Sequence, residues 1–379
     1  MYSHILLRFG ELSTKGKNKM TFVRHLGKNI EKLVGEKPKI EFDRMFLLYS
    51  QHNIDYLQNI FGLQSYSPVV TTETNEESIK KTILELIKNK KGTTFKVIVK
   101  RHWKEYAGSS MEIASSLGGF ILKNTDYKVD VRNPDFKVEI EIRQDHTYVF
   151  VDRINGLGGY PTGINGKVIH LISGGIDSPV AAYEMMKRGI YVDYINFITP
   201  PHTDKLTKQK VNDIIKLLIK YQGSARLYRS NYTDLMNYIG LTSNQAFKIT
   251  LMRRSFYRIV NEIAIKHDYL GISNGENVGQ VASQTLESMN VIQSVSKLPI
   301  YRPILTADKL ETVAKGEKIG TYEISIRPGN ETCELFAPTR PVIKPKIWEA
   351  EKLESELIDL ENLEKQNIDL KIEIDKLFI

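Results

Sequence analysis

The segment Ser173-Gly174-Gly175-Ile176-Asp177-Ser178 sits between an apolar run, Val168 to Ile172, and a helix-forming stretch that opens with Pro179. Two glycines let a backbone turn tightly and approach a ligand, and the N–H groups of a helix start, with serine hydroxyls beside them, face an anion. Pro179 suits a helix first turn, where its missing N–H costs nothing. The pattern predicts a phosphate cradle, although it is neither GxxxxGK[ST] nor GxGxxG. It also dictates the surroundings. Downstream, predicted strands at Val168–Ile172, Tyr191–Phe197 and Ala225–Tyr228 alternate with predicted helices at Pro179–Arg188 and Thr207–Tyr221. Such alternation implies parallel strands joined by right-handed crossovers in a doubly wound α/β sheet.

Upstream, Asn155 to Gly166 carries five glycines and a proline in twelve residues, which rules out regular structure and marks the main domain boundary. Before it the chain reads as two small α+β units. The first combines strands at Ile5–Phe9 and Ile40–Tyr49 with a basic helix at Met20–Val34. The second combines helices near Ser78–Asn89 and Glu112–Lys123 with strands near Thr93–Val99, Phe136–Ile142 and Thr147–Val151. The expected division is 1–57, 58–154, a linker at 155–166, 167–346, and a C-terminal helix over 347–379.

At 379 residues the chain is long enough for two or three domains, and no apolar run approaches the length of a membrane span. With no apolar stretch behind a basic leader at the start, a secretory signal is not expected. The single cysteine, Cys333, excludes an internal disulfide, a CxxC pair and a cysteine-built metal site, and it fits a reducing, cytoplasmic setting. The eight histidines lack ligand spacing, so no structural zinc is expected. A net charge of +8 points to a polyanionic partner, since lysines and arginines gain affinity by displacing counterions from phosphates.

The loop Ser173 to Ser178 resembles the pyrophosphatase (PP) loop of N-type ATP pyrophosphatases, enzymes that cleave ATP between its α and β phosphates and leave AMP on a carbonyl oxygen. Six further strings occur in one order: GELSTKGKNKMTF, GLGGYPTG, PVAAYEMMKRG, TLMRRSFYRI, GENVGQVASQTLES and DKLETVAKGEKIGTYEISIRP. Together they resemble the tRNA 4-thiouridine synthetase (tRNA sulfurtransferase) family, in its form without a C-terminal rhodanese domain. The resemblance implies an N-terminal ferredoxin-like domain, a THUMP domain that grips tRNA, and a PP-loop domain that adenylates the uridine at position 8 so that sulfur replaces its oxygen. ATP and Mg2+ are the implied cofactors. Implied partners are tRNA, a cysteine desulfurase, a separate sulfur carrier and a second copy of the chain, with no membrane; some relatives also serve thiamine thiazole synthesis. Carried over by position, the phosphate loop is Ser173, Gly174, Gly175, Asp177 and Ser178, with Asp177 near magnesium and pyrophosphate. Nucleotide contacts fall on Leu171, Ile172, Asn196, Phe197, Arg253, Gly275 and Gln284, while Lys309 and Cys333 match a family lysine and the sulfur-transfer cysteine.

Several residues keep two readings at this level. Arg253 and Arg254 border the apolar face of one predicted helix, and either reaches a phosphate or lies on a solvated basic face. Lys309 neutralises phosphate or pairs with Asp308 on the surface; Cys333 handles sulfur or is a small buried residue. The tail fits a heptad, with Leu360, Asn367 and Ile374 in one core position and Leu363, Leu370 and Leu377 in the other. That seam belongs to a dimeric coiled coil or to a helix docked on its own domain. Competing functions are another PP-loop adenylating enzyme, such as an NAD, GMP or 2-thiouridine synthetase, and a non-catalytic tRNA-binding protein.

Overall fold

The computed structural model describes residues 2–329 and 336–379, so Cys333 lies outside the described residues. The chain divides into two compact units, Met1–Tyr160 and Pro161–Ile379, with the division inside the glycine-rich segment. Among the described residues no helix is long and apolar enough to cross a membrane.

The first unit holds strands β1 (His4–Arg8), β2 (Lys39–Ile40), β3 (Met45–Leu48), β4 (Ser65–Thr72), β5 (Thr94–Arg101), β6 (Lys128–Val129), β7 (Phe136–Ile142), β8 (Thr147–Phe150) and β9 (Ile154–Asn155). Its helices are α1 (Lys19–Val34), α2 (Gln51–Leu57), α3 (Glu76–Ile87) and α4 (Ser110–Asn124). The strands form one sheet in the order β2-β3-β1-β4-β8-β7-β5-β6, with β9 paired to β4. Strand β4 joins a ferredoxin-like half to a THUMP half: Ser65 to Val69 pair with β1, and Val70 to Thr72 pair with β8. Helix α1 forms because Val23, Leu26, Ile30 and Leu33 recur at helical spacing and are buried, and it stops at Gly35, whose φ of 83° suits glycine. The extended run expected over Ile40–Tyr49 is instead a hairpin, closed where Glu41 N–H donates to the Arg44 carbonyl at 2.9 Å. Arg44 faces inward and pairs with the buried Glu141, and that pairing favours the turn.

The second unit contains β10 (Lys167–Leu171), α5 (Asp177–Lys187), β11 (Tyr191–Ile198), α6 (Lys205–Leu218), β12 (Ser224–Asn231), α7 (Thr233–Ile239), α8 (Lys248–Lys266) and β13 (Ile272–Ser273). These are followed by α9 (Leu286–Gln293), β14 (Ile300–Tyr301), α10 (Lys309–Ile319), α11 (Tyr322–Ser325), α12 (Ile347–Glu356), α13 (Leu360–Leu370) and β15 (Ile372–Phe378). The sheet order is β14-β13-β10-β11-β12-β15, parallel except for β15. The chain runs from β10 outward through β11 to β12, then crosses back to β13 on the other side. Reversal of direction beside β10 leaves a crevice at the carboxyl ends of β10 and β13, the place where such sheets receive ligands.

The single C-terminal helix expected over 347–379 is not what forms. Two helices, α12 and α13, end at Leu370, and Ile372 to Phe378 become an antiparallel edge strand on β12. Without β15, strand β12 would present a row of unpaired N–H and C=O groups, a cost that outweighs one more turn of helix. The heptad register therefore breaks after Leu370. Helix α13 docks on its own unit: Leu360 is buried and Leu363 packs on the core, while Asn367 is 3% exposed. The Asn367 amide donates to the Asn231 carbonyl at 2.7 Å, and its oxygen accepts from the Ser230 hydroxyl at 2.7 Å. Asn367→Ala removes the partner of the buried Ser230 hydroxyl and of the half-buried Asn231 carbonyl. It is expected to lower the unfolding free energy by about 1–3 kcal/mol in a denaturant titration with unchanged slope; an unaltered midpoint would show that these bonds contribute nothing.

Candidate active site

The loop after β10 closes on itself. Ser173 N–H donates to Ser178 Oγ at 3.0 Å, the two hydroxyls lie 3.2 Å apart, and Gly175 N–H donates to Ser173 Oγ at 3.3 Å. The serine hydroxyls thus shape the loop as well as facing its mouth. A Cβ added at Gly175 would meet only Ser173 Oγ, at 3.5 Å, so this glycine keeps open the space in front of the loop. Helix α5 starts at Asp177, so the positive end of its dipole and its unpaired N–H groups face the same space.

Two neighbours hold the loop in place. The His170 ring is wholly buried, with Nε2 2.9 Å from the Ser178 carbonyl and Nδ1 3.1 Å from Ser273 Oγ. A carbonyl only accepts, so Nε2 carries the proton and Nδ1 accepts from the serine. Burial pushes the His170 pKa down to about 3, despite the bond to Ser178, and the ring stays neutral. The second neighbour is Gly275, just past β13. A Cβ there would lie 2.6 Å from the Ser178 nitrogen and 2.8 Å from the Asp177 carbonyl carbon, so only glycine permits this approach.

Asp177 projects from the first turn of α5. Lys309 Nζ, at the start of α10, donates to its two oxygens at 2.9 and 3.1 Å, and Gln280 Nε2 donates at 2.8 Å. Lys309 therefore joins the loop, while Asp308 caps α10 by accepting from Leu310 N–H at 2.8 Å. Of the adjacent arginines, only Arg253 lines the cleft; Arg254 is 2% exposed and faces the core. The Arg253 guanidinium lies 3.1 Å from Glu276 and 3.0 Å from Ser283 Oγ. Glu276, 1% exposed, also accepts from Arg302 Nε at 2.6 Å.

One cleft of about 250 Å3 is lined by Leu171, Ile172, Ser173, Gly174, Gly175, Asp177, Ser178, Asn196, Phe197, Arg253, Gly275 and Gln284. The Phe197 ring forms part of the wall, stacked on Phe256 with centroids 3.8 Å apart. Asn196 donates its amide to the Ile172 carbonyl at 2.9 Å, which orients its Oδ1 as a buried acceptor without a hydrogen-bond partner. Gln284 Oε1 is buried and unpartnered in the same way. A cleft that offers an apolar wall, two free acceptors, the N–H donors of the loop and Arg253, with Lys309 held on Asp177 beside it, matches a nucleotide, whose amino and hydroxyl groups donate and whose phosphates accept. The sequence reading missed His170, Glu276, Gln280 and Arg302. Glu276 and Gln280 lay within the quoted string GENVGQVASQTLES, but nothing marked them as partners of Arg253 and Asp177.

Among the described residues no three His, Cys, Asp or Glu side chains gather as a metal site. Asp177 is a single hard carboxylate beside the loop, a donor that fits Mg2+, an ion usually held by one or two carboxylates together with substrate phosphates.

Comparison with known proteins gives three family matches that together span most of the chain. A profile described as thiamine biosynthesis protein (ThiI) matches residues 163–359, a THUMP domain profile matches 73–152, and a ThiI ferredoxin-like domain profile matches 4–67. A probable tRNA sulfurtransferase of Mycoplasmopsis agalactiae is 48% identical over 374 residues, covering 98% of this chain and 99% of the relative. Another, from Metamycoplasma arthritidis, is 50% identical over 376 residues with the same coverage. The crystal structure of a 4-thiouridine synthetase–RNA complex with bound ATP superposes with a TM-score of 0.93 at 36% identity, over 100% of both chains. A Pyrococcus horikoshii protein, 23% identical over 84% of this chain and 99% of its own, shares the fold with a TM-score of 0.66.

Gly275→Ala pushes a methyl group into the start of α5 and is expected to weaken ATP binding at least about tenfold by calorimetry in a folded protein, because neither backbone can yield without moving the loop. Unchanged affinity would mean that the contact is not needed. His170, with a pKa depressed below its ordinary value, contributes stability that is present above about pH 6.5 and is lost as the pH falls toward 3. Relative to His170→Gln, the native protein should lose ~1.4 kcal/mol per pH unit across that window. Parallel pH curves for the two proteins would contradict a buried neutral ring.

Proposed function

This chain belongs to the ThiI family of tRNA sulfurtransferases, and on that premise we propose that it uses ATP to activate the 4-carbonyl of uridine 8 in tRNA for replacement by sulfur. The observation that carries this reading is the convergence of the loop, Asp177 with its partner Lys309, Arg253 and two free acceptors on one cleft at the carboxyl end of the sheet. A carbonyl oxygen is a poor leaving group, and adenylation makes it a good one. The uridine O4 attacks the α-phosphorus of ATP, the O4–P bond forms, the bond to the β-phosphate bridge breaks, and pyrophosphate leaves. A sulfur nucleophile then adds at C4, and AMP departs with the original oxygen.

The chain's own groups divide this work. Backbone N–H groups at the start of α5 stabilise charge on the departing pyrophosphate, as pre-organised donors do where charge develops. Lys309 moves its charge from Asp177 toward the phosphates once substrate enters, and Arg253, paired with Glu276, lines the same cleft. The acceptors Asn196 Oδ1 and Gln284 Oε1 receive donors of the nucleoside, and the paired rings of Phe197 and Phe256 exclude water from that end. Asp177, once released by Lys309, is the group that would hold Mg2+ with pyrophosphate, and the ion would supply further neutralisation of that leaving group. Cys333 is the proposed sulfur-handling thiol, on the strength of the family match. The first unit, with its THUMP fold, would hold tRNA largely through phosphate contacts. The remaining partners of this reading are a cysteine desulfurase, a sulfur carrier and a second copy of the chain in the cytoplasm. A further role in sulfur transfer for thiamine thiazole synthesis is part of this reading, supported by the family's description as a thiamine biosynthesis protein.

Asp177→Ala tests the division of labour. With ATP and a sulfur donor, the variant is expected to lose 4-thiouridine formation by a factor of 100 or more, on the order expected for loss of a charge-stabilising group, while its tRNA affinity stays within about threefold. Nucleoside chromatography and filter binding read the two quantities. A variant that still thiolates, or one that no longer holds tRNA, contradicts the assignment.

A further inference from the structure

Helix α8 carries two neighbouring arginines with opposite destinations. Arg253 lines the cleft, and Arg254, about 100° further round the helix, enters the core. Arg254 donates Nε and Nη2 to the two oxygens of Glu354 on α12, at 2.9 and 2.8 Å. Its Nη1 reaches the Val291 carbonyl and Ser294 Oγ at the end of α9, each at 2.7 Å. One turn along α8, Arg258 donates to Glu354 at 2.8 Å and grips Glu364 on α13 through Nε and Nη2, both at 2.8 Å. Two carboxylates of the C-terminal segment thus alternate with two arginines of α8. Glu364 lies beyond residue 359, where the ThiI profile match ends.

Apolar packing alone would let a helix turn or slide slightly at small cost. Two-pronged arginine–carboxylate pairs do not, because their donors and acceptors align in one geometry only. Arg254, 2% exposed, also has no route to water that would replace Glu354. Loss of the carboxylate therefore acts on the whole helix. A rotation of about 20° would carry a guanidinium at the end of its side chain by on the order of 2 Å, given the radius at which helix side chains end.

We propose that the C-terminal segment 347–379 is a brace on α8, and that Glu354 is its positioning residue, fixing where Arg253 stands in the nucleotide cleft. The proposal rests on the reading of that cleft as the ATP site. Glu354 touches no substrate and acts through the helix.

The test uses the full chain in a tRNA-dependent pyrophosphate-release assay, with circular dichroism and thermal melting alongside. Glu354→Gln keeps the shape and removes the charge; KM for ATP is expected to rise about tenfold with kcat within about twofold, the size of effect a misplaced binding group produces. In an Arg253→Met background the same change is expected to add less than about twofold, since residues that act through one another are non-additive. A folded Glu354→Gln protein with unchanged KM overturns the brace, as does an equal effect in both backgrounds. A purely structural role would lower the folded fraction and hence kcat, leaving KM in place, and would also overturn it. Should Glu354→Gln not fold, Glu364→Gln, which weakens only the outer arginine's hold and leaves its bond to Glu354, is expected to raise KM about threefold, and no rise overturns the proposal. A native protein that releases no pyrophosphate with ATP and tRNA overturns the reading of the cleft, and the brace with it.

Discussion

Everything at the site depends on how closely two backbones approach: the start of α5, with the loop of residues 173–178 before it, and the turn after β13 at Gly275. A single Cβ at Gly275 would come within 2.6 Å of the Ser178 nitrogen. This contact is possible because β10 and β13 are parallel neighbours whose chain connections run in opposite directions, so that two loops emerge side by side. His170 secures the same junction from below, joining the loop to β13 through the Ser178 carbonyl and Ser273. A buried polar side chain is tolerated here because both ring nitrogens are satisfied while the ring is neutral. The loop is thus placed by main chain, a fixed ring and the short hydroxyls of Ser173 and Ser178.

Charge is arranged around that rigid centre in pairs that a substrate can rearrange. Asp177 is held by Lys309 and Gln280, and Glu276 is shared by Arg253 and Arg302. Each pair balances a charge inside the cleft, which lowers the cost of burying it. In the proposed cycle, polyphosphate takes over Lys309 and Arg253, and Asp177 becomes available to a cation. Behind this wall, α8 is tied to α12 and α13 by the ladder from Arg254 to Glu364, while β15 seals the outer edge of β12. Site and tail are therefore parts of one packed body.

How much of this was readable beforehand follows from what a linear pattern encodes. The strand–loop–helix setting of Ser173 to Ser178 was legible because its signals are local: glycines, hydroxyls and an aspartate within six residues, between an apolar run and a helix-forming stretch. The alternation after it identified the doubly wound sheet, and the family resemblance placed Asn196, Phe197, Arg253, Gly275 and Gln284, all of which line one cleft. Glu276 and His170 were illegible because their importance lies in partners far along the chain. The choice between Arg253 and Arg254 needed the helix phase together with the position of Glu354, one hundred residues on. The tail misled for a different reason. Leucine and isoleucine at three- and four-residue intervals fit a heptad, yet in Ile372 to Phe378 the unpaired edge of β12 decides the outcome, and an edge leaves no mark in the segment that covers it. The hairpin at Glu41 to Arg44 was likewise settled by a distant partner, Glu141.

The central claim is that the cleft joins AMP to the carbonyl oxygen of a uridine, and the fate of that oxygen tests it most directly. A tRNA carrying 18O at O4 of uridine 8 is incubated with the protein, ATP and a sulfur donor through about one turnover, and the AMP is analysed by mass spectrometry. The account predicts one labelled oxygen in each AMP formed, in step with the appearance of 4-thiouridine. Label released into water, with AMP unlabelled while 4-thiouridine accumulates, would contradict it.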